Sequence, residues 1–182
     1  MRGTAGAIGR HVLVDGMAGS GKSTFSRALS QETGLPVIHL DVHYWQPGWV
    51  KPSQGAWRGT QRRLLGGDAW IADGNDLETL DLRLELADTV VLLDTPWWTC
   101  AARALKRGLV KPVGELPYGC RDSFWRRLRD EWRLVAVIVR GRRSEAERTL
   151  EIVAEQGQHA ALHVLGSKRE ARAFLRGLSG DG

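Results

Sequence analysis

The sequence predicts an α/β fold, a five-stranded parallel sheet held between helical layers. Strand-like runs and helical segments alternate along the chain, the pattern of a parallel sheet with crossover helices. The first run, His11-Val12-Leu13-Val14-Asp15, is short, apolar and β-branched, as a strand buried on both faces requires. Between it and the first helix lies Gly16-Met17-Ala18-Gly19-Ser20-Gly21-Lys22-Ser23-Thr24, a glycine-rich turn in the one place where such sheets bind ligands.

That turn fits G-x-x-x-x-G-K-[ST], with Gly16, Gly21, Lys22 and Ser23 at the fixed positions. Glycines let the backbone curl with its N–H groups inward, and the helix that starts near Lys22 adds its positive end. Lys22 is expected to reach the β- and γ-phosphates of a nucleoside triphosphate, and Ser23 to ligate Mg²⁺. The nine residues from Gly16 to Thr24 are the expected nucleotide site. The fold class is therefore a P-loop NTPase three-layer sandwich.

The first helix reads from Lys22 to Thr33, with Phe25, Ala28 and Leu29 on one face and Gly34-Leu35-Pro36 as its stop. The second strand is Val37 to Leu40, ending at Asp41. Asp41 to Trp49 mixes charged, aromatic and turn residues and suits a binding loop. Ser53 to Leu65 reads as a helix capped by Ser53 and ended by Gly66-Gly67. Ala69 to Ala72 is the third strand, running into Asp73-Gly74-Asn75. Leu77 to Leu86 is a short helix carrying Arg83 between Asp81 and Glu85. Thr89 to Leu93 is the fourth strand, ending at Asp94, and Pro96 opens a helix to about Arg107 with Arg103 and Arg107 on one face. Residues 108–119 hold two prolines and three glycines and read as a loop that can close as a lid. Arg121 to about Arg140 is helical, with Phe124, Trp125, Leu128, Trp132 and Val135 as its apolar stripe. Ser144 and Glu147 make a capping box for a helix to about Glu155. Ala161 to Leu165 is the fifth strand. Ser167 caps the closing helix, which runs to Leu178, with Glu170 as its partner.

At 182 residues the chain is expected to be one domain, with residues 1–10 a flexible lead lacking an apolar signal core. No apolar run approaches a membrane span. Cys100 and Cys120 show no metal spacing, so reduced thiols in a cytoplasm are expected. Net charge is +5, but residues 103–148 hold thirteen Lys/Arg against six Asp/Glu. A basic block beside a phosphate loop reads as a lid over phosphates, a nucleic-acid surface or a solvated helix face, and the phosphate site favours the lid.

The phosphate loop, Asp73-Gly74, and Leu93-Asp94-Thr95-Pro96 followed by Arg103 and Arg107 together resemble the adenylate kinase and nucleoside monophosphate kinase group. His39-Leu40-Asp41-Val42-His43-Tyr44-Trp45, Trp70 to Asn75 and Gly119-Cys120-Arg121 resemble a narrower branch, the adenylate kinase-related proteins labelled DNA topology modulation proteins. The resemblance implies strand order 2-3-1-4-5. It implies that Asp73, favoured over Asp94, holds Mg²⁺ through water, and that Arg103, Arg107 and Arg121 are lid-side arginines around the moving phosphate. Kinases of this group carry Asp-Gly-Phe-Pro-Arg where this chain has Asp73-Gly74-Asn75-Asp76, so the arginine that grips an acceptor phosphate is missing here. An Asp ending the second strand resembles shikimate and gluconate kinases, where a carboxylate orients or deprotonates an attacking hydroxyl.

The expected function is a cytoplasmic ATP- and Mg²⁺-dependent kinase of a small acceptor, monomeric or homodimeric. Lys22, Asp41, Arg103, Arg107 and Arg121 are its expected catalytic groups. Asp41, His43, Tyr44, Asn75 and Arg83 are its expected acceptor side, with Arg83 suited to an acidic acceptor or else part of a surface charge cluster. The runner-up is a nucleotide-binding regulatory protein that acts through its basic helix on nucleic acid.

Overall fold

A computed structural model describes residues 8–48, 50–109, 129, 132–136, 138–139 and 144–179. Its centre is β1 (His11–Asp15), whose Val12, Leu13 and Val14 have no exposure. On one side β1 pairs in parallel with β3 (Trp70–Asp73), and on the other with β4 (Thr89–Leu93). β2 (Val37–His39) joins β3, and β5 (Ala161–Leu165) joins β4, so the order is 2-3-1-4-5 as the resemblance implied.

Alternation along the strands splits the core in two. Leu13, Trp70, Ala72 and Val90 face the helices α3 (Gln54–Leu64), α4 (Leu80–Leu86) and α6 (Ser144–Gln156), where Trp57, Leu80, Leu84 and Val153 meet them. Val12, Val14, Ile71, Val91 and Leu93 face Phe25 and Leu29 of α1 (Lys22–Thr33) and Phe174 of α7 (Lys168–Ser179). Each Val or Leu buried this way contributes about 1.5–3 kcal/mol, so the strand ends that carry the site rest on the best-anchored part of the chain.

Several boundaries differ from the sequence reading. β2 stops at His39, and Leu40–Tyr44 forms a short helix, α2, instead of a loop. Leu40 is buried, and Tyr44 lies one turn on along the same side, packed on the same core cluster; that apolar pair at i, i+4 is what winds the segment. β3 runs one residue further than expected, so Asp73 is a strand residue. Leu77–Thr79 is a 3₁₀ turn, capped by Asp76, whose carboxylate accepts from the Glu78 N–H at 3.2 Å. Ser53 caps α3 as predicted, accepting from the Ala56 N–H at 3.3 Å.

Following Pro96, α5 (Trp97–Leu109) takes in the first two residues of the segment expected to be a loop. The rest of that segment, with Cys120 and Arg121, lies outside the described residues, as do residues 1–7 of the lead. Residues 132–136 and 138–139 are helical, and of the expected stripe Val135 faces the core while Trp132 does not. Leu134, Val135 and Ile138 pack on Cys100, Ala101 and Ala104 of α5, while Trp132 is 58% exposed. At α7, the Ser167 hydroxyl accepts from the Glu170 N–H, and the Glu170 carboxylate reaches the N–H of Gly166, one residue before the cap that the box pattern assigns.

Candidate functional site

The loop between β1 and α1 is held open by backbone geometry. Gly16, Gly19 and Gly21 have φ of 140°, 84° and 104°, in the region that glycine alone enters freely. Space enforces the first two as well. A Cβ on Gly16 would sit 2.6 Å from the Leu93 carbonyl oxygen, and one on Gly19 would sit 2.6 Å from that of Cys100. The Ser20 N–H closes the turn on the Met17 carbonyl at 3.0 Å.

Lys22 is buried, and its ammonium donates to the carbonyl oxygens of Gly16 and Met17, the second at 3.2 Å. Those carbonyls hold the charge at the centre of the loop. Arg103, from α5, donates to the Gly19 and Ser20 carbonyls at 3.2 and 2.8 Å, and the Thr95 hydroxyl donates to the Ser20 carbonyl at 3.2 Å. The loop is thus clamped from the turn after β4 and from the middle of α5. Burial pushes the Cys100 thiol up, against the pull of Arg103 and Lys22, which leaves it a packing residue and not a nucleophile.

Two clefts meet at this loop. The larger, about 700 Å³, runs from Ala18, Gly19 and Gly21–Thr24 across to Leu40, Asp41, Tyr44, Trp45, Trp57 and Gly74–Asp76, with Arg103 and Leu134 at its margin. The smaller, about 480 Å³, lies on the other side of Arg103. Phe25, Ala28, Leu93 and Thr95 line it together with Ser167, Lys168 and Arg172. Gly21, Thr24 and Arg103 border both.

The expected site residues fall unevenly on this geometry. Asp41, Tyr44, Asn75, Arg83, Lys22, Ser23 and Arg103 line the larger cleft. Asp41 does so from the first turn of α2, not from a strand end. His43 is exposed and lines neither cleft. The Asn75 amide donates to the Glu145 carboxylate of α6 at 3.0 Å. Arg83 is no surface charge cluster: it is buried in the floor of the cleft, donating to the carbonyls of Gly74 (3.0 Å) and Asp76, while its Nε has no partner among the described residues. Burial lowers its pKa, with the nearby carboxylates of Asp15, Asp76 and Asp41 opposing that shift, and the intrinsic basicity of a guanidinium keeps it charged.

Asp73 and Asp94 separate clearly. Asp73 is 2% exposed at the end of β3, and both its oxygens lie 2.9–3.0 Å from His39 Nδ1 on the neighbouring strand. Asp94 is exposed, and neither aspartate lines either cleft. Asp15, 1% exposed, accepts from the Gly16 N–H at 2.6 Å, and its second oxygen has no partner among the described residues. No three His, Cys, Asp or Glu side chains converge among the described residues, so these offer no metal cage of their own. A Mg²⁺ held by one or two protein oxygens and by phosphates suits such a site. Arg107 lies on α5, its side chain outside the described residues.

Sequence reading missed two groups. Asp76 and Trp57 both line the larger cleft and are bonded to each other, Trp57 Nε1 donating to Asp76 Oδ2 at 2.9 Å. Nineteen residues and an element boundary separate them, and no local pattern joins them. Ser167 of the smaller cleft is legible only as a helix cap, and Lys168 and Arg172 beside it carry no signal in the sequence.

No protein-family model matches the chain, and no curated protein matches it. Among solved structures, a shikimate kinase from Bacteroides thetaiotaomicron aligns at 14% identity and a TM-score of 0.51, over 93% of this chain and 96% of that one. The chain therefore has the fold of the P-loop kinases. A sugar kinase from Janibacter sp. HTCC2649 (18% identity, TM-score 0.48, 92% of this chain and 90% of that one) and a gluconokinase from Sinorhizobium meliloti 1021 (17%, 0.47, 94% and 94%) score below the level that shows a shared fold. The narrower branch resemblance finds no support among these matches. No described helix is long and apolar enough to cross a membrane.

Proposed function

We propose that the protein is an ATP-dependent phosphotransferase acting on a small hydroxylated acceptor, with Mg²⁺ as cofactor. The carrying observation is the continuity of the larger cleft. It joins the lysine and glycines of the phosphate loop to a separate wall of Asp41, Tyr44, Asn75 and Asp76, leaving room for a second substrate in line with the first.

In this reading the loop amides and Lys22 hold the β- and γ-phosphates, and Arg103 leans over them. The phosphates would take over the ammonium bonds that the Gly16 and Met17 carbonyls now accept. The smaller cleft is assigned to the nucleoside end, since it opens on the far side of the loop. Ser23 would hold Mg²⁺ directly and Asp73 through water. The ion would supply charge neutralisation across the phosphates. Asp73 is preferred to Asp94 on burial, since both stand at the ends of strands that pair with β1. Asp41 would orient the acceptor hydroxyl and take its proton late. A lid over residues 108–121, with Arg121, and a single-domain, cytoplasmic protein remain parts of the proposal.

A screen of purified protein with labelled ATP over nucleotides, sugars and small acids tests it. Label transfer to a hydroxylated acceptor, dependent on Lys22 and on Mg²⁺, is the expected result. Nucleotide-dependent binding of nucleic acid that weakens steeply with salt, without any transfer, would instead favour a regulatory protein working through its basic helix.

A further inference from the structure

The sheet ends on β2 at one side and on β5 at the other, and the two edges are built differently. β2 is three residues long, half-buried, and runs straight into α2, so it presents little edge. β5 is five residues long, Ala161-Leu162-His163-Val164-Leu165, and holds no charged residue, proline or glycine. Charge, proline and short length are the usual means of blunting an edge strand, and β5 uses none of them. Its one titratable side chain, His163, packs on Phe174 of α7 with ring centroids 4.9 Å apart. The His163 Nε2 is buried without a partner among the described residues, and burial pushes its pKa down, so the strand is uncharged at neutral pH.

The pairing with β4 decides which backbone groups this edge presents. The Ala161 N–H donates to the Asp88 carbonyl at 2.8 Å, and the Leu165 carbonyl accepts from the Asp94 N–H at 3.0 Å. A strand residue turns its N–H and C=O to one side, and the next residue turns them to the other. Ala161, His163 and Leu165 therefore address β4, while Leu162 and Val164 turn their N–H and C=O groups outward. No described strand pairs with that outer side. The same two residues carry exposed side chains, Leu162 at 38% and Val164 at 44%. Leu162 sits beside Val90 and Val164 beside Leu92, so both lie on the face that Val90 gives to the core under α3, α4 and α6.

We infer that β5 is the seam of a symmetric dimer, in which a second copy of this chain adds its own β5, antiparallel, about a two-fold axis at His163. The alternation selects that axis. Centred on His163, Leu162 of one copy lies opposite Val164 of the other, and the two exchange both backbone hydrogen bonds, as do Val164 and the second copy's Leu162. The outward groups of both residues are taken up in one step. The side chains match in the same step: the axis is normal to the sheet and keeps its faces in common, so each exposed leucine meets an exposed valine. A foreign strand would have to bring the same alternation and the same apolar spacing, whereas a second copy brings both by symmetry. An uncharged strand also tolerates its own copy, where like charges placed opposite each other would oppose pairing. Antiparallel pairing points the carboxyl ends of the two sheets in opposite directions. Both phosphate loops and their clefts stay open, and the inference stands apart from the kinase reading.

The test is sedimentation of the full chain, without nucleotide, from about 1 µM to about 200 µM, read together with amide hydrogen exchange by NMR. The mass is expected to rise with concentration from one chain to two. The Leu162 and Val164 amides should exchange more slowly as it does, while the Ala161 amide, already bonded to Asp88, stays protected throughout. Val164→Lys puts a charge into the seam at an exposed position, so its melting temperature should stay near the parent's while its dimer dissociation constant rises at least about tenfold. Leu162→Lys should do the same independently. A single chain at every concentration overturns the inference, whether the Leu162 and Val164 amides exchange freely or are protected from the start by another stretch of the same chain. A dimer that survives both lysines, with exchange at Leu162 and Val164 indifferent to concentration, overturns it too, since that dimer would use a different face.

Discussion

At one end of the larger cleft the groups on offer are backbone, set by Gly16, Gly19 and Gly21 at positive φ and braced by carbonyl contacts to Lys22 and Arg103. At the other end they are side chains brought by α2, α3 and the turn after β3. The first end is one contiguous stretch that joins the strand at the centre of the sheet to α1. The second is assembled across residues 41–76 and beside an edge strand, and α6 and the helical residues at 134 also touch its margin. Backbone recognition suits a ligand part that never varies, a polyphosphate. Side-chain recognition suits the part that distinguishes one kinase from another. The contrast predicts that damage at the loop removes everything, whereas damage at the far wall removes acceptor handling and spares nucleotide.

The hardest test of the contrast is Lys22→Ala. Its ammonium is the buried charge at the centre of the loop, and an electrostatic group of this kind contributes several kcal/mol to a transition state. Turnover is expected to fall by about 10³-fold or more, with circular dichroism and melting temperature close to the parent. Parent-level turnover in this variant would remove the basis for treating the loop as the reactive end.

Next in size is Asp41→Asn. It should lower phosphotransfer by about 10²-fold while ATP affinity, measured by calorimetry, stays near the parent value. Asp41 also sits in the first turn of α2, where a carboxylate favours the helix through its dipole. A fall in melting temperature that activity merely follows would assign it to that role. A collapse of ATP affinity at unchanged stability would move it to the metal.

The same contrast explains what could be read in advance. The loop was legible because steric need writes it into adjacent residues: glycines where a Cβ would strike Leu93 or Cys100, then Lys22 and Ser23 at fixed spacing. Strands β1, β4 and β5 were legible as apolar runs with their observed bounds, but periodicity carries no strand order, which came from resemblance alone. The far wall was only half legible. Asp41 and Tyr44 stood out beside a strand end, yet the α2 turn that aims them depends on Leu40 packing into a core built from distant residues. Arg83 reads equally as an acceptor-binding group and as part of a surface charge cluster, because its neighbours in sequence are Asp81 and Glu85. Its real surroundings are carbonyls seven and nine residues away. His39 and Asp73 pair across two strands, a contact that only the sheet register creates.

The finest probe of the contrast is Trp57→Phe, which removes one N–H from the far wall and leaves the loop untouched. Trp57 Nε1 and the Thr79 hydroxyl share Asp76 Oδ2, and Gln61 Nε2 donates to the Thr79 oxygen at 2.8 Å, so α3 and the 3₁₀ turn are tied through one carboxylate. Loss of a hydrogen bond to a charged acceptor, plus the smaller ring, should cost about 1–3 kcal/mol of stability, readable as a lower urea midpoint at unchanged slope. The Asp76 carboxylate would keep the Thr79 and Glu78 donors but lose the one that fixes it against the aromatic wall. Acceptor KM is therefore expected to rise several-fold, with kcat nearly unchanged and ATP affinity at the parent value, the pattern of lost uniform binding at one end of the cleft. Trp57→His, which can retain a ring N–H near the same carboxylate, should recover part of that KM. A fall in ATP affinity in Trp57→Phe would mean that the two ends are mechanically coupled through β3, and the division between a backbone end and a side-chain end would have to be given up.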